Sequence, residues 1–227
     1  MTTLKKVLKK VKAELTLNEK VRGSAHESIR KATSLSKQTI LLIHQKRFGE
    51  AEATVEKAKE LISNLQALSR DYPDIVYSGM FSAALQEYSE ANIFLKMTKE
   101  EKFPSPKDIN VPSVDYVLGL ADVIGEFRRL SLDALREGNV EKGEKCLGIM
   151  DEIFVELLAL DETYMLVPGL RRKSDITRRI IEATRGDITQ EVRRKSLEDY
   201  LKKLEFSLKR KHAEKGQPHG QDPSPRA

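Results

Sequence analysis

Four carboxylates stand where helical spacing makes them costly unless a cation lies among them. Glu87 and Glu90 fall in FSAALQEYSEANIF (81–94), and Asp122 and Glu126 in DYVLGLADVIGEFRR (115–129). At about 100° per residue, Glu87 and Glu90 share a helix face with Met80, Ala83, Ala84, Ala91, Phe94 and Met97, which is otherwise small and apolar. Like charges on such a face repel and lose hydration, so they need protonation or a cation held between them. Asp122 and Glu126, four apart, stack on one face beside Leu118, Gly119, Gly125 and Arg129. Glycine inside a helix costs about 1 kcal/mol relative to alanine, and is best tolerated where another backbone or a ligand comes close. An E-x-x-E pair facing a D-x-x-x-E pair is an all-oxygen set suited to Mg²⁺ or Mn²⁺, and the chemistry it implies is metal-assisted phosphoryl hydrolysis. The competing reading leaves the acids on partly exposed faces, paired with Lys96, Arg128 and Arg129. No Glu-x-x-His pattern accompanies them, which argues against a di-iron bundle.

The elements that must position these acids read as helices throughout. Helical periodicity covers residues 3 to about 46, with Gly23 a point where it could break, then about 48–70, 74–100, 113–137, 140–162, 168–186 and 187–213. Gly138-Asn139 reads as a turn, and 101–112, with Pro104, Pro106 and Pro112, as a loop. No stretch alternates like a strand. The expected architecture is all-α: one antiparallel helical bundle of about seven helices over residues 1–213, followed by a disordered polar tail, 214–227.

Composition supports this. The chain has 227 residues, 33% charged and 39% hydrophobic, with a single cysteine and no tryptophan. Its dominant Leu, Lys, Glu, Ala, Ile and Arg are helix formers. A lone Cys146 excludes an internal disulfide framework and a zinc finger. No run of 18 apolar residues is present, and MTTLKKVLKKVKAEL reads as a basic amphipathic helix rather than a secretory signal, so the expected location is cytoplasmic.

The formal charge of +5 is unevenly spread. Arg30, Lys31 and Lys37 lie in a stretch poor in acids, and RRKSDITRR (171–179) holds five bases against one acid. Arginine's bidentate fork suits phosphate, and with few aromatics nearby, contact with nucleic acid would be mostly to backbone. His26, His44, His212 and His219 lack metal-ligand spacing and read as incidental.

Three stretches in combination, SKQTILLIH (36–44), LQEYSEA (85–91) and VDYVLGLADVIGE (114–126), resemble the translin family, and the translin-associated factor X branch more than translin itself. The resemblance runs over about residues 20–190. It implies an all-α bundle assembled into a closed, hollow oligomer, octamer-like, that binds single-stranded RNA and possibly DNA. In the factor X branch the matching acids form a magnesium-dependent endoribonuclease site, so Glu87, Glu90, Asp122 and Glu126 are carried over as catalytic and Mg²⁺ (or Mn²⁺) ligands. Arg30, Lys31 and Lys37 are carried as nucleic-acid-binding candidates. The short loop before 113 resembles a prokaryotic, archaeal-type member acting as a homo-oligomer, while the basic C-terminal helix has no aligned counterpart. Two other readings stay open: a non-catalytic single-stranded nucleic-acid-binding ring, and an all-α nucleotide pyrophosphohydrolase.

Overall fold

The structure, a computed structural model, describes residues 3–76 and 79–215. Six long α-helices and one short one make up the bundle: α1 (Leu4–His44), α2 (Phe48–Leu68), α3 (Pro73–Val76), α4 (Gly79–Glu100), α5 (Ser113–Arg136), α6 (Val140–Leu158) and α7 (Leu170–Lys215), with a 3₁₀ turn at Asp161–Leu166. No strand occurs among the described residues. The all-α expectation holds, and three boundaries differ from it. First, α1 runs unbroken through Gly23, while the helix expected over 74–100 is seen as α3 and α4 on either side of residues 77–78, which lie outside the described residues.

Second, α6 ends at Leu158 and the 3₁₀ turn takes up the residues after it. Third, the helices expected on either side of Gly186 are one. No new helix starts at 187: Asp187 pairs with Arg128 of α5 at 3.1 Å, and the Thr189 hydroxyl donates to the Arg185 carbonyl at 2.7 Å. Ile181, Thr184 and Ile188 are buried at helical spacing on both sides of Gly186, so packing holds the register that the glycine alone would weaken. The tail expected from 214 lies, from 216 onward, outside the described residues.

Short turns make α1/α2 and α5/α6 antiparallel hairpins. Lys46 (φ 60) turns the first; Gly138 (φ 77) turns the second, and Asn139 caps α6 by accepting from the Lys142 amide at 3.0 Å. The step from α4 to α5 is different. Ser82 donates to Asp115 at 2.5 Å, Gly119 lies against the backbone of Gln86 and Glu90, and Phe94 meets Phe127 edge-on at 5.5 Å. Progress along α4 is therefore progress along α5, and the two run parallel. The connecting segment must return about 33 Å, the length of the 22-residue α4, which an extended loop over 101–112 can span. It does so along α2 and α4, with Gln66 and Asn110 exchanging two hydrogen bonds (2.9 and 2.8 Å) and Tyr116 donating to the Pro104 carbonyl at 2.6 Å. The prolines expected to break helices here bracket a turn over residues 106–110, in which the Val111 amide donates to the Pro106 carbonyl at 3.0 Å and Asn110 takes a positive φ of 54°.

The same pairing logic orients the rest. Lys37 and His44 of α1 meet Glu87 and Phe94 of α4, and Lys173 and Thr184 of α7 meet Asp122 and Arg128 of α5. So α1, α4, α5 and α7 share one direction, and α2 and α6 run against them. Tyr88, Phe81, Phe94, Ile124 and Met150 are fully buried in the core between. Arg128 ties α7 to α5 through Thr184 (2.7 Å) and Asp187 (3.1 Å). Arg128→Met leaves the buried Thr184 hydroxyl without that partner and is expected to cost about 1–2 kcal/mol, read as a lower Tm by calorimetry.

Candidate active site

The parallel seam is what brings the four acids together. Glu87 and Glu90 on α4 and Asp122 and Glu126 on α5 face one another because Gly119 lets the two backbones close: a Cβ there would stand 2.7 Å from the Gln86 carbonyl oxygen and 3.0 Å from the Glu90 nitrogen. The second glycine has another role. A Cβ at Gly125 would meet nothing within 4 Å, and Gly125 lines a cleft of roughly 400 Å³ with Glu87, Glu90, Asp122 and Lys173. An adjoining hollow is lined by Lys37, Leu41, Glu90, Glu126 and Arg129. The acids thus form the floor of a trough with α1 on one side and α7 on the other.

Their electrostatics follow from the crowding. Burial pushes the Glu90 carboxyl up to about 8, and the negative charges of Asp122, Glu126 and Glu87 push in the same direction, with Lys173 the one opposing influence. The other three acids are each engaged by a different base. Lys37 lies 3.2 Å from Glu87, Lys173 pairs with Asp122, and His44 Nε2 is 2.6 Å from Glu126 Oε2. His44 is 4% exposed, tilted against Phe94 with ring centroids 5.1 Å apart, and its Nδ1 is buried without a hydrogen-bond partner.

Of the bases expected to serve the site, Lys37 reaches it. Arg30 and Lys31 are exposed on α1 and form no ion pair with the four acids. Of the cations expected to neutralise the acids in the competing reading, Lys96 and Arg128 are committed to Glu100 and Asp187, and Arg129 lines the hollow beside Glu90 and Glu126. From the run 171–179, Lys173 enters the trough, whereas Arg171 and Arg178 line a separate cavity of roughly 600 Å³ with Tyr164 and Asp175. Arg185 holds Asp151 of α6 at 2.9 Å.

His44 and Lys173 are the site residues that periodicity missed. A pattern was available for each: His44 lies seven residues, two turns, after Lys37, and Lys173 shares a face with Thr177 and Ile180 at 4-3 spacing. A lone histidine and one lysine among many bases nevertheless carry no mark of their partners, which lie on other helices.

The four carboxylates make a donor set for a divalent ion. Its chemistry fits: all four donors are carboxylates, and Glu90 is a crowded acid short of positive charge. As the side chains stand, no group of three or more His, Cys, Asp or Glu among the described residues is arranged to hold a metal ion. Each outer acid is turned to its own base, so gathering them about an ion requires Lys173 and Lys37 to let go.

The chain AfC3PO, solved in a complex with duplex RNA, is 32% identical and superposes with a TM-score of 0.72, covering 81% of this chain and 95% of its own. Apo-NeC3PO is 25% identical with a TM-score of 0.74, covering 84% and 98%. Uncharacterized protein MJ0175 of Methanocaldococcus jannaschii is 34% identical over 160 residues, 70% of each chain. The Translin family model matches residues 20–183, which include α4, α5 and all four acids. On the fold, the seam and this match, the chain belongs to the Translin family.

Proposed function

We propose that this protein binds single-stranded RNA, and DNA as a second ligand, and cleaves RNA as a Mg²⁺- or Mn²⁺-dependent endoribonuclease, working in the cytoplasm as a hollow, octamer-like homo-oligomer. The observation that carries the reading is the meeting of four carboxylates from two parallel helices on the floor of a base-flanked trough, with Glu90 pushed up to about 8 by burial and by its neighbours. Nucleic-acid binding is further supported by the related AfC3PO chain, which was solved in a complex with duplex RNA.

When bound, the divalent ion supplies Lewis acidity at a phosphoryl oxygen and a more acidic water. The chain's residues do the rest. Glu87, Glu90, Asp122 and Glu126 would hold the ion, and one of these carboxylates would orient the attacking water. Lys37 and Lys173, released from Glu87 and Asp122, are placed to receive phosphate oxygens along the trough. His44 fixes the Glu126 carboxylate from behind, packed on Phe94.

The assay is cleavage of an end-labelled single-stranded RNA with Mg²⁺, with EDTA, and by Asp122→Asn. Cleavage should require the ion and fall by about 10²–10³-fold in the variant, a loss of roughly 3–4 kcal/mol of transition-state stabilisation. Degradation that ignores both EDTA and the substitution sinks the nuclease assignment. The ion pairs from Lys37 and Lys173 favour one other reading, a binding ring in which the acids are structurally neutralised. RNA binding without metal-dependent cleavage would select it.

A further inference from the structure

Both ends of the chain carry long helical extensions that the bundle does not cover. In α1 every described residue before Ala25 is exposed or half-buried, and in α7 every residue after Ile188 whose side chain is described is likewise exposed or half-buried. Residues 1–19 and all of α7 beyond 183 lie outside the family match. Each extension nevertheless bears an apolar seam. Leu4, Leu8, Val11 and Leu15 are 42–72% exposed at 4-3-4 spacing, in phase with the buried seam Ala25, Ile29, Ala32, Ser36 of the same helix. Leu197, Leu201, Leu204 and Leu208 repeat the spacing on α7 and are 46–58% exposed. Two heptads of leucine and valine on a water-exposed helix are the pattern of a two-helix seam.

The extensions of one chain cannot meet. α1 and α7 run in the same direction, so the N-terminal part of α1 leaves one end of the bundle and the C-terminal part of α7 leaves the other. We propose that they pair between two copies of this chain: the α1 extension of each copy lies antiparallel on the α7 extension of the other, about a two-fold axis at right angles to the helices.

Three features select this occupant. The seams lie at matched heights, since Leu15 stands about 15 Å before Ala25 and Leu197 about 13 Å beyond Ile188 at 1.5 Å per residue. Leu4 and Leu208 stand about 31 and 30 Å out. With Leu8 and Leu15 as a positions and Leu197 and Leu204 as d positions, an antiparallel alignment sets Leu15 by Leu197, Val11 by Leu201, Leu8 by Leu204 and Leu4 by Leu208, so every layer is apolar. The flanking charges also agree. The e positions beside the α7 seam are Glu191, Glu198 and Glu205, seven apart, and those beside the α1 seam are Lys5, Lys12 and Glu19. Flanking e positions face each other in an antiparallel pair, which puts Lys5 by Glu205 and Lys12 by Glu198, at the cost of one like pair, Glu19 and Glu191. Pairing α7 with a second α7 would oppose glutamates throughout. Within α7, Glu198 is paired with Arg194 and Glu205 with Lys209, so Lys12 and Lys5 would join or replace those partners. Lys6, Lys9, Lys10, Lys202 and Lys203 fall at b, c and f positions away from the seam, where salt screens the repulsion between the two net-positive extensions.

The interface does not depend on the nuclease reading, and its test is independent of activity. A full-length chain with Leu8→Cys is mixed with one carrying Leu204→Cys, both with the buried Cys146 replaced by Ala, and oxidised mildly. A disulfide-linked heterodimer is expected in the mixture, and little linkage with either chain alone. Lys5→Glu with Lys12→Glu, or Glu198→Lys with Glu205→Lys, should lower the yield about ten-fold, and all four changes in one chain should restore it. Circular dichroism confirms that the extensions stay helical. Linkage of like with like, linkage within a doubly substituted chain, no linkage at all, or failure of the fourfold charge exchange to rescue it would each overturn the proposal.

Discussion

Glu90→Gln is expected to abolish metal-dependent RNA cleavage while raising the stability of the metal-free protein at pH 8. The two effects share one cause. Glu90 sits half-buried among three other acids, and its carboxyl is pushed up to about 8, far above the ordinary carboxylate range. A carboxyl whose folded value lies above its unfolded one binds its proton more tightly in the native state. Its contribution is therefore complete below the unfolded value near 4.5 and is lost as pH rises through about 8. Metal-free protein in EDTA should lose stability over this window with a slope approaching 1.4 kcal/mol per pH unit, about one proton's worth. Glutamine has no proton to lose, so Glu90→Gln should flatten the slope. Mg²⁺ should flatten it in the wild type alone, because an ion replaces the missing positive charge. Differential scanning calorimetry from pH 5 to 8, with EDTA and with Mg²⁺, reads all four combinations. Equal pH slopes in wild type and variant would show that Glu90 does not carry the cluster's strain.

Gly119→Ala carries the largest structural effect. The added methyl would stand 2.7 Å from the Gln86 carbonyl oxygen and 2.7 Å from the Ser89 Cβ, contacts that no side-chain rotation relieves. α4 and α5 must separate, against a core in which Phe94 and Phe127 already meet edge-on. Overpacking of this kind costs about 1–3 kcal/mol, reduced by roughly the 1 kcal/mol that alanine gains over glycine in a helix. A lower Tm should be accompanied by loss of cleavage, since the acid pairs move apart with the seam. Gly125→Ala is the control six residues along the same helix. Its Cβ meets open space, so the helix gain is unopposed and Tm should rise by a few degrees. A fall in Tm for both variants would mean that helix propensity, not the α4/α5 approach, was misjudged.

The site shows how far patterning reaches. Glu87, Glu90, Asp122 and Glu126 were legible because two acidic pairs on small, apolar helix faces contradict the solvent-facing habit of carboxylates. The two glycines were legible as places where a backbone or a ligand comes close, but which one does which was not: Gly119 lies under the α4 backbone and Gly125 opens on the cleft, and the two look alike in one dimension. His44 and Lys173 stayed hidden: the first was a single histidine at a helix end, the second one base in a run of five. What marks them is the carboxylate each one meets, on a helix 82 and 51 residues away in the chain.

Helix ends divide in the same way. The Gly138-Asn139 turn follows from local chemistry, from the positive φ of Gly138 and from Asn139 capping α6, and α5 starts at Ser113 directly after Pro112, which no helix interior accepts, without a side-chain cap. The unbroken course of α7 through Gly186 does not, because it is held by the burial of Ile181, Thr184 and Ile188 and by Thr184 and Asp187 on Arg128 of α5. By itself, then, the sequence determined an all-α chain, the four acids and the faces that carry them, since periodicity reports which side of each helix is buried. The parallel run of α4 and α5, the bases that answer each acid and the opposite exits of the two helical extensions were decided by tertiary structure, because periodicity cannot say what a buried face is buried against.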